Sequence, residues 1–172
     1  MDERPDDKEI YEVLKRYEEL MTCSQREITS SFLRLAEIIN DKSKDDMIKA
    51  ISLSTSDEMK VQEAGQVLDE YQYFVRKEST ELKLYIRELI KRRERMNRIM
   101  ACYRALPEWE REILGEFISS DDGTTNTCRD LEKKYFKDRS TILRARKKAL
   151  EKIQETYESK ITTKDFYRQR RF

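Results

Sequence analysis

The scarcity of chain breakers constrains this sequence more than any other feature. Its 172 residues hold three glycines and two prolines, and the stretch from Asp6 to Asn40 has neither. Glycine supplies the backbone conformations that tight turns need, and proline ends or kinks helices. A chain this poor in both is suited to long helices joined by few connections. Charged residues make up 41% and hydrophobic residues 37%, which adds wet faces and limits the size of any single core. The apolar positions are nevertheless well patterned, unlike those of a disordered chain. The expectation is an all-α, elongated protein.

In the first helical stretch, Ile10, Leu14, Tyr17, Met21, Ile28, Phe32, Leu35, Ile38 and Ile39 recur mostly three or four residues apart, along one side of a helix. Asp6 and Asp7 suit its start, where the helix dipole favours negative charge. Ser24 and Ser31 interrupt the stripe. Residues 41–57 are rich in Ser, Lys and Asp and read as a connection with one short helix, Asp46 to Leu53, inside it. A second long helix follows from Ser56 to Tyr103. It carries the seven-residue ladder Val61, Leu68, Val75, Leu82, Leu89, Met96, Tyr103 and a mixed companion column, Ala64, Tyr71, Glu78, Tyr85, Arg92, Ile99. Two long helices with a modest connection predict a long antiparallel helical hairpin, a coiled-coil-like stalk spanning 1–104. A leftover stripe of Phe74, Ile86, Ile90 and Met100 predicts a homodimer through that stalk.

Beyond Arg104 the pattern shortens. Pro107 suits the first turn of a new helix, with Glu108, Glu110 and Glu112 at its start and an apolar face of Ile113, Leu114, Phe117 and Ile118. Ser119 to Asn126, containing Asp121-Asp122-Gly123-Thr124, reads as a loop. Thr127 can cap a second helix, with Asp130 completing a capping box, and Leu131 and Tyr135 face inward. After Phe136-Lys137-Asp138, Asp138 is the natural cap of a third helix. Its inner face is Ile142, Ala145, Ala149, Leu150 and Ile153, and its outer face Ser140, Thr141, Leu143, Arg144, Lys147 and Lys148, with Arg139 at the start.

Charge is unevenly placed. Residues 127–172 carry 15 Lys+Arg against 7 Asp+Glu, a net +8, while residues 1–126 carry 21 against 28, a net −7. Clustered positive charge is the footprint of polyanion binding, although a solvated helical face fits the same count. Cys23, Cys102 and Cys128 stand far apart and histidine is absent, so neither a structural zinc site nor a disulfide framework is indicated, and no cofactor is expected. No apolar run is long enough for a bilayer, and Met1-Asp2-Glu3-Arg4 does not open a signal peptide. A cytoplasmic protein with no membrane partner is the expectation. Carboxylates are scattered along helices rather than converging, so no enzyme is expected.

A helix that reads DNA must be basic where it enters the major groove and present base-reading side chains in its first turn. Arg139 and Arg144 can donate in a bidentate fashion to guanine, and Ser140 and Thr141 can bond bases or phosphate. Arg146, Lys147, Lys148 and Lys152 can reach flanking phosphates. Lys137, Thr127 and Arg129 complete the candidate double-stranded DNA contacts.

Thr127 to Ile153 resembles, without a gap, the fourth conserved region of bacterial sigma factors, which reads the upstream promoter element. The matching features are Thr127, Leu131, Tyr135, Arg139-Ser140-Thr141-Ile142 and the closing Lys148-Ala149-Leu150-Glu151-Lys152-Ile153, preceded by an entry, Leu106 to Leu114, of similar kind. Within that superfamily the arrangement resembles the ArpU and RinA group of phage late-gene transcription regulators. The resemblance implies a small C-terminal helix-turn-helix domain, residues 105–155, and base reading by Arg139, Ser140, Thr141 and Arg144. It implies a phage or prophage regulator, and RNA polymerase as a further partner. Phe136 departs from it, standing where sigma factors commonly have the turn glycine, although bulky aromatics occur at this turn in the phage regulators; Leu143 stands where a basic residue is common and could touch a thymine methyl. Nothing corresponds to the regions that melt a promoter. A basic tail, 156–172, ends Phe166-Tyr167-Arg168-Gln169-Arg170-Arg171-Phe172 and suits a phosphate backbone or a frayed end equally. The competing function is a non-enzymatic adaptor that docks on RNA polymerase or a sigma factor.

Overall fold

The computed structural model describes the backbone of residues 3–40, 58–120 and 123–159. Among these residues every regular element is an α-helix: α1 (Asp7–Lys15), α2 (Tyr17–Ile39), α3 (Glu58–Arg104), α4 (Glu108–Ser119), α5 (Gly123–Tyr135) and α6 (Arg139–Glu158). No helix among them is long and apolar enough to cross a membrane. The short helix expected at Asp46–Leu53 and the tail from Lys160 onward lie outside the described residues.

The first helix begins at the acidic pair expected to start it, with Asp6 as its cap. The Asp6 carboxylate accepts from the Glu9 amide at 2.7 Å, satisfying one of the amides a helix start leaves unpaired. One helix was expected from Asp6 to Asn40, but Arg16, at φ −118°, ψ 23°, divides it into α1 and α2. Periodicity could not see this break. The spacing of Ile10, Leu14, Tyr17 and Met21 carries through it, and only one residue leaves the helical conformation.

By contacts the chain falls into two compact units, residues 1–22 with 92–172, and residues 23–91. Sequence reasoning placed its boundary at 104/105. In the first unit the end of α3 and the whole of α1 pack with α4 and α6 around Ile10, Val13, Met96, Ile99, Cys102, Leu106, Leu114, Ala149, Leu150, Ile153 and Tyr157. Ile10, Ile99, Leu114 and Ile153 are wholly buried, each stabilising the unit by roughly 1.5–3 kcal/mol relative to exposure. Polar ties reinforce this core. Arg95 donates to both Glu9 carboxylate oxygens, at 2.5 and 2.7 Å, and to the Glu3 carbonyl at 2.7 Å. Gln154 donates to the Pro5 carbonyl at 3.1 Å and to Asp7 at 2.9 Å. Arg98 lies over the Tyr157 ring, 4.4 Å from its centre, and donates to the Tyr157 carbonyl. The last turn of α6, assigned from sequence to a tail beginning at 156, therefore belongs to the core.

In the second unit α2 buries Ser24, Ile28, Ser31 and Leu35, at spacings of four, three and four. On α3 the buried positions are Ser79, Ile86 and Leu89, with Val75 and Leu82 half-buried. The ladder through Val75, Leu82 and Leu89 is as expected, but its companion column is one residue later. Ser79 and Ile86 are buried, whereas Tyr85 is 48% exposed. Alternating steps of four and three select 75, 79, 82, 86 and 89. Tyr85, from the mixed column with a strict seven-residue step, lies off this seam, although Ile99 of the same column is wholly buried in the first unit.

Candidate functional site

The candidate site is built on α5, the turn Phe136–Asp138 and α6. It rests on a second apolar cluster, Ile113, Cys128, Leu131, Ile142 and Ala145, with Trp109, Phe117, Tyr135 and Leu143 packed against it. Trp109 and Tyr135 meet edge to face, 4.8 Å between ring centres at 87°, an arrangement worth about 0.5–1.5 kcal/mol beyond area burial. The Tyr135 hydroxyl donates to Glu112 at 2.9 Å, and Lys134 pairs with Glu116 at 2.5 Å. The side chains of α4 thus hold α5 at both faces of its last turn.

Helix α5 starts at Gly123, four residues before the threonine expected to cap it. Residues 123–126, expected as loop, are helical. Thr127 is consequently inside the helix and buried, its hydroxyl donating to Ser120 Oγ at 2.8 Å. Thr127, Cys128 and Leu131 all bury, and this anchor outweighs the weak helix preference of Thr124, Thr125 and Asn126. Thr127 is a packing residue here, and Arg129 is exposed on the outer side.

The turn into α6 is tightly specified. Asp138 caps the helix as expected: its carboxylate accepts from the Thr141 amide at 3.1 Å and the Thr141 hydroxyl at 2.6 Å, and the Ser140 hydroxyl donates to it as well. The hydrogen bond from Ser140, with those from Thr141, holds the Asp138 carboxyl well below the usual carboxylate range. Ser140 and Thr141, expected to read bases, use their hydroxyl protons on this cap. Phe136 has φ +52°. That left-handed conformation costs a residue with a Cβ about 1–2 kcal/mol, and Phe136 is 92% exposed, so the fold recovers nothing from its ring.

Along α6 the inner face is the expected one: Ile142, Ala145, Ala149, Leu150 and Ile153 are buried. Arg139, Arg144, Lys147 and Lys148 are exposed, as is Lys137 in the turn. Leu143 is half-buried against the cluster below it. Two cations expected to reach phosphates are turned into the protein. Arg146 sits between two rings, 5.3 Å from the centre of Tyr11 and 4.9 Å from that of Phe117, and donates to the Tyr11 hydroxyl at 2.6 Å. Lys152 donates to both oxygens of the buried Glu110, each at 2.7 Å, with Lys148 at 3.9 Å from the same carboxylate. Burial of Glu110 was not legible in the sequence, where it stands among acidic neighbours at a helix start. Lys147 lies 3.7 Å from Glu151, one turn on, in an exposed pair of small energetic consequence.

Two shallow depressions in this unit, of about 400 and 360 Å³, are lined by Leu14, Tyr17, Arg104 and their neighbours and by Tyr103, Arg111, Glu112 and Lys134. Among the described residues no group of three or more His, Cys, Asp or Glu side chains could hold a metal ion. No family model, curated protein or solved structure matches the chain.

Proposed function

We propose that the protein is a sequence-specific DNA-binding transcription regulator, of phage or prophage type, whose α5–turn–α6 segment is a helix-turn-helix with α6 as the recognition helix. The observation that carries this reading is the division of cations along α6. Arg146 and Lys152 are held inside by an aromatic pair and a buried carboxylate, whereas Arg139 and Arg144 are exposed and make no hydrogen bond or ion pair among the described residues. Lys137, Lys147 and Lys148 flank them. A fold that holds its structural cations inside and presents two exposed guanidinium groups five residues apart on one helix matches bidentate guanine recognition with phosphate contacts on either side.

On this reading α2 and α3 form an antiparallel hairpin that serves as the dimer stalk and spaces two half-sites. The buried seam on each helix supports pairing, as does the 2.7 Å ion pair of Arg34 with Glu78. Of the stripe offered by the sequence, Ile86 is 4% exposed and belongs to the seam and Met100 is half-buried, leaving Phe74 and Ile90, 60% and 37% exposed, as the candidate dimer face.

The test is selection of genomic fragments by the purified chain at near-physiological salt, beside the double variant Arg139→Ala/Arg144→Ala. A motif recovered by the wild type and lost by the variant, with both folded by circular dichroism, supports direct readout by α6. Equal enrichment by both, or none by either, ends the DNA-reading function in favour of a docking domain for RNA polymerase or a sigma factor.

A further inference from the structure

We propose that Phe136 is an apolar contact for duplex DNA, its ring lying against the sugar and base edges at the rim of the groove that α6 enters. The proposal rests on the DNA-reading function above and adds to it a residue that contributes no charge.

Three observations converge on this ring. Phe136 is the most exposed of the large apolar side chains among the described residues, at 92%. It occupies the left-handed backbone region at φ +52°, where glycine or asparagine sits with less strain. Its neighbour Tyr135, by contrast, is turned inward onto Trp109. The fold therefore uses one ring of the pair and carries the other at a cost, largely exposed among the described residues. A residue kept under those terms is explained by something outside the chain.

The surroundings define what that partner is. From Arg129 to Lys148 the sequence carries nine Lys and Arg against three Asp and Glu. Lys137 and Arg139 follow Phe136 closely in sequence, and the acid between them, Asp138, is engaged by Ser140 and Thr141. The occupant must therefore be polyanionic yet offer apolar surface between its charges. Duplex DNA has that composition: deoxyribose C–H groups and thymine methyls lie between the phosphates. In a helix-turn-helix the turn leads directly into the end of the helix that approaches the bases, which places residue 136 at that boundary.

The test uses the full chain and the duplex that the wild type selects, with Phe136→Gly, Phe136→Asn and Phe136→Tyr measured by fluorescence anisotropy across a salt series. Glycine and asparagine both tolerate the turn, so their melting midpoints should equal or exceed the wild type. Both should bind about fivefold to tenfold more weakly, in the range of an interface contact of moderate strength. Because no charge is removed, the slope of log K against log salt should be unchanged. Phe136→Tyr keeps the ring and should bind as the wild type does. If both Phe136→Gly and Phe136→Asn bind as the wild type, the proposal falls while the DNA-reading function stands. Weakening in Phe136→Gly alone assigns the effect to turn stiffness and also overturns it, as does weakening with a shallower salt slope. Loss of RNA polymerase capture with DNA affinity intact would assign the ring to a protein partner instead. Should the wild type select no duplex at all, the DNA-reading function falls and takes this proposal with it.

Discussion

Replacing Tyr157 with alanine should destabilise the unit formed by the chain ends far more than its place near the end of α6 suggests. The ring is 2% exposed and packs in the cluster that joins α1, α3, α4 and α6. A buried tyrosine removes about 150–250 Å² from water, which at about 25 cal/mol per Å² corresponds to roughly 4–6 kcal/mol. Measured large-to-small core truncations of aromatic residues cost about 3–5 kcal/mol. The Arg98 guanidinium, 4.4 Å from the ring centre, loses its aromatic partner as well. About 4 kcal/mol is the working value, a large share of the 5–15 kcal/mol typical of a domain. For a unit of this size that corresponds to a fall in melting midpoint of about 15 °C or more. Thermal melts followed by circular dichroism, with Tyr157→Phe as the conservative control, would measure it. Tyr157→Phe should lie much closer to the wild type. A Tyr157→Ala midpoint within a few degrees of the wild type would refute the argument that the last turn of α6 is core.

Two further outcomes follow from single residues. Cys23 is exposed, whereas Cys102 and Cys128 are each 1% exposed, and burial pushes the Cys102 thiol up to about 11. In native protein one thiol should therefore react promptly with a maleimide and two only on unfolding, counted by mass spectrometry. The raised Cys102 value also means that its contribution is intact below the unfolded thiol range and is lost as pH climbs from about 8.5 towards 11. Lys152→Ala leaves the buried Glu110 carboxylate with only Lys148 at 3.9 Å and should cost about 1–3 kcal/mol in denaturant melts. The double variant Glu110→Gln/Lys152→Met should recover much of that loss, because no unpaired charge remains buried.

The inner faces of α4 and α6 were legible, whereas on α2 Phe32 and Ile39, expected in the apolar stripe, are 50% and 60% exposed and Ser24 and Ser31, read as interruptions, are buried. Period and capping chemistry placed Asp138 as a cap, put the start of α1 at Asp6 and Asp7, gave the inner face of α6 residue by residue, and gave the ladder through Val75, Leu82 and Leu89, because each follows from neighbours within two turns. What was not legible depends on partners distant in sequence. Arg146 and Lys152 look identical to Lys147 and Lys148 in a basic run. Tyr11, 135 positions away, and Phe117 hold Arg146, and Glu110 accepts both hydrogen bonds from Lys152. The Arg16 break changes no apolar spacing. The start of α5 was misplaced because a threonine with an acid three residues on has the form of a capping box, while burial of Thr127 and Cys128 depends on α4. The same reason moved the unit boundary from 104 to 91: residues 3–22 belong with α6 through contacts that no local pattern encodes.

The contacts of α1 with α6 also limit how the α5–turn–α6 segment can be isolated. Residues 105–155, the module the sequence delimits, contain the α5–turn–α6 cluster but lack Ile10, Val13, Met96, Ile99, Cys102 and Tyr157. Even the longer fragment 92–159 lacks α1. Removing it uncovers the core that Ile10 and Val13 close, a loss of about 3–6 kcal/mol for two buried aliphatic side chains. Removal also strips Arg95 of Glu9, and Arg146 of the Tyr11 hydroxyl. Against a typical net stability of about 5–15 kcal/mol, the sum is enough to leave 92–159 partly or wholly unfolded. A single chain joining residues 3–22 through a flexible linker to 92–159 should instead melt cooperatively. Circular dichroism and amide exchange on the two forms decide the matter. Cooperative melting of 92–159 alone, with protected amides in α6, would show that α1 is an accessory to the domain rather than one of its walls.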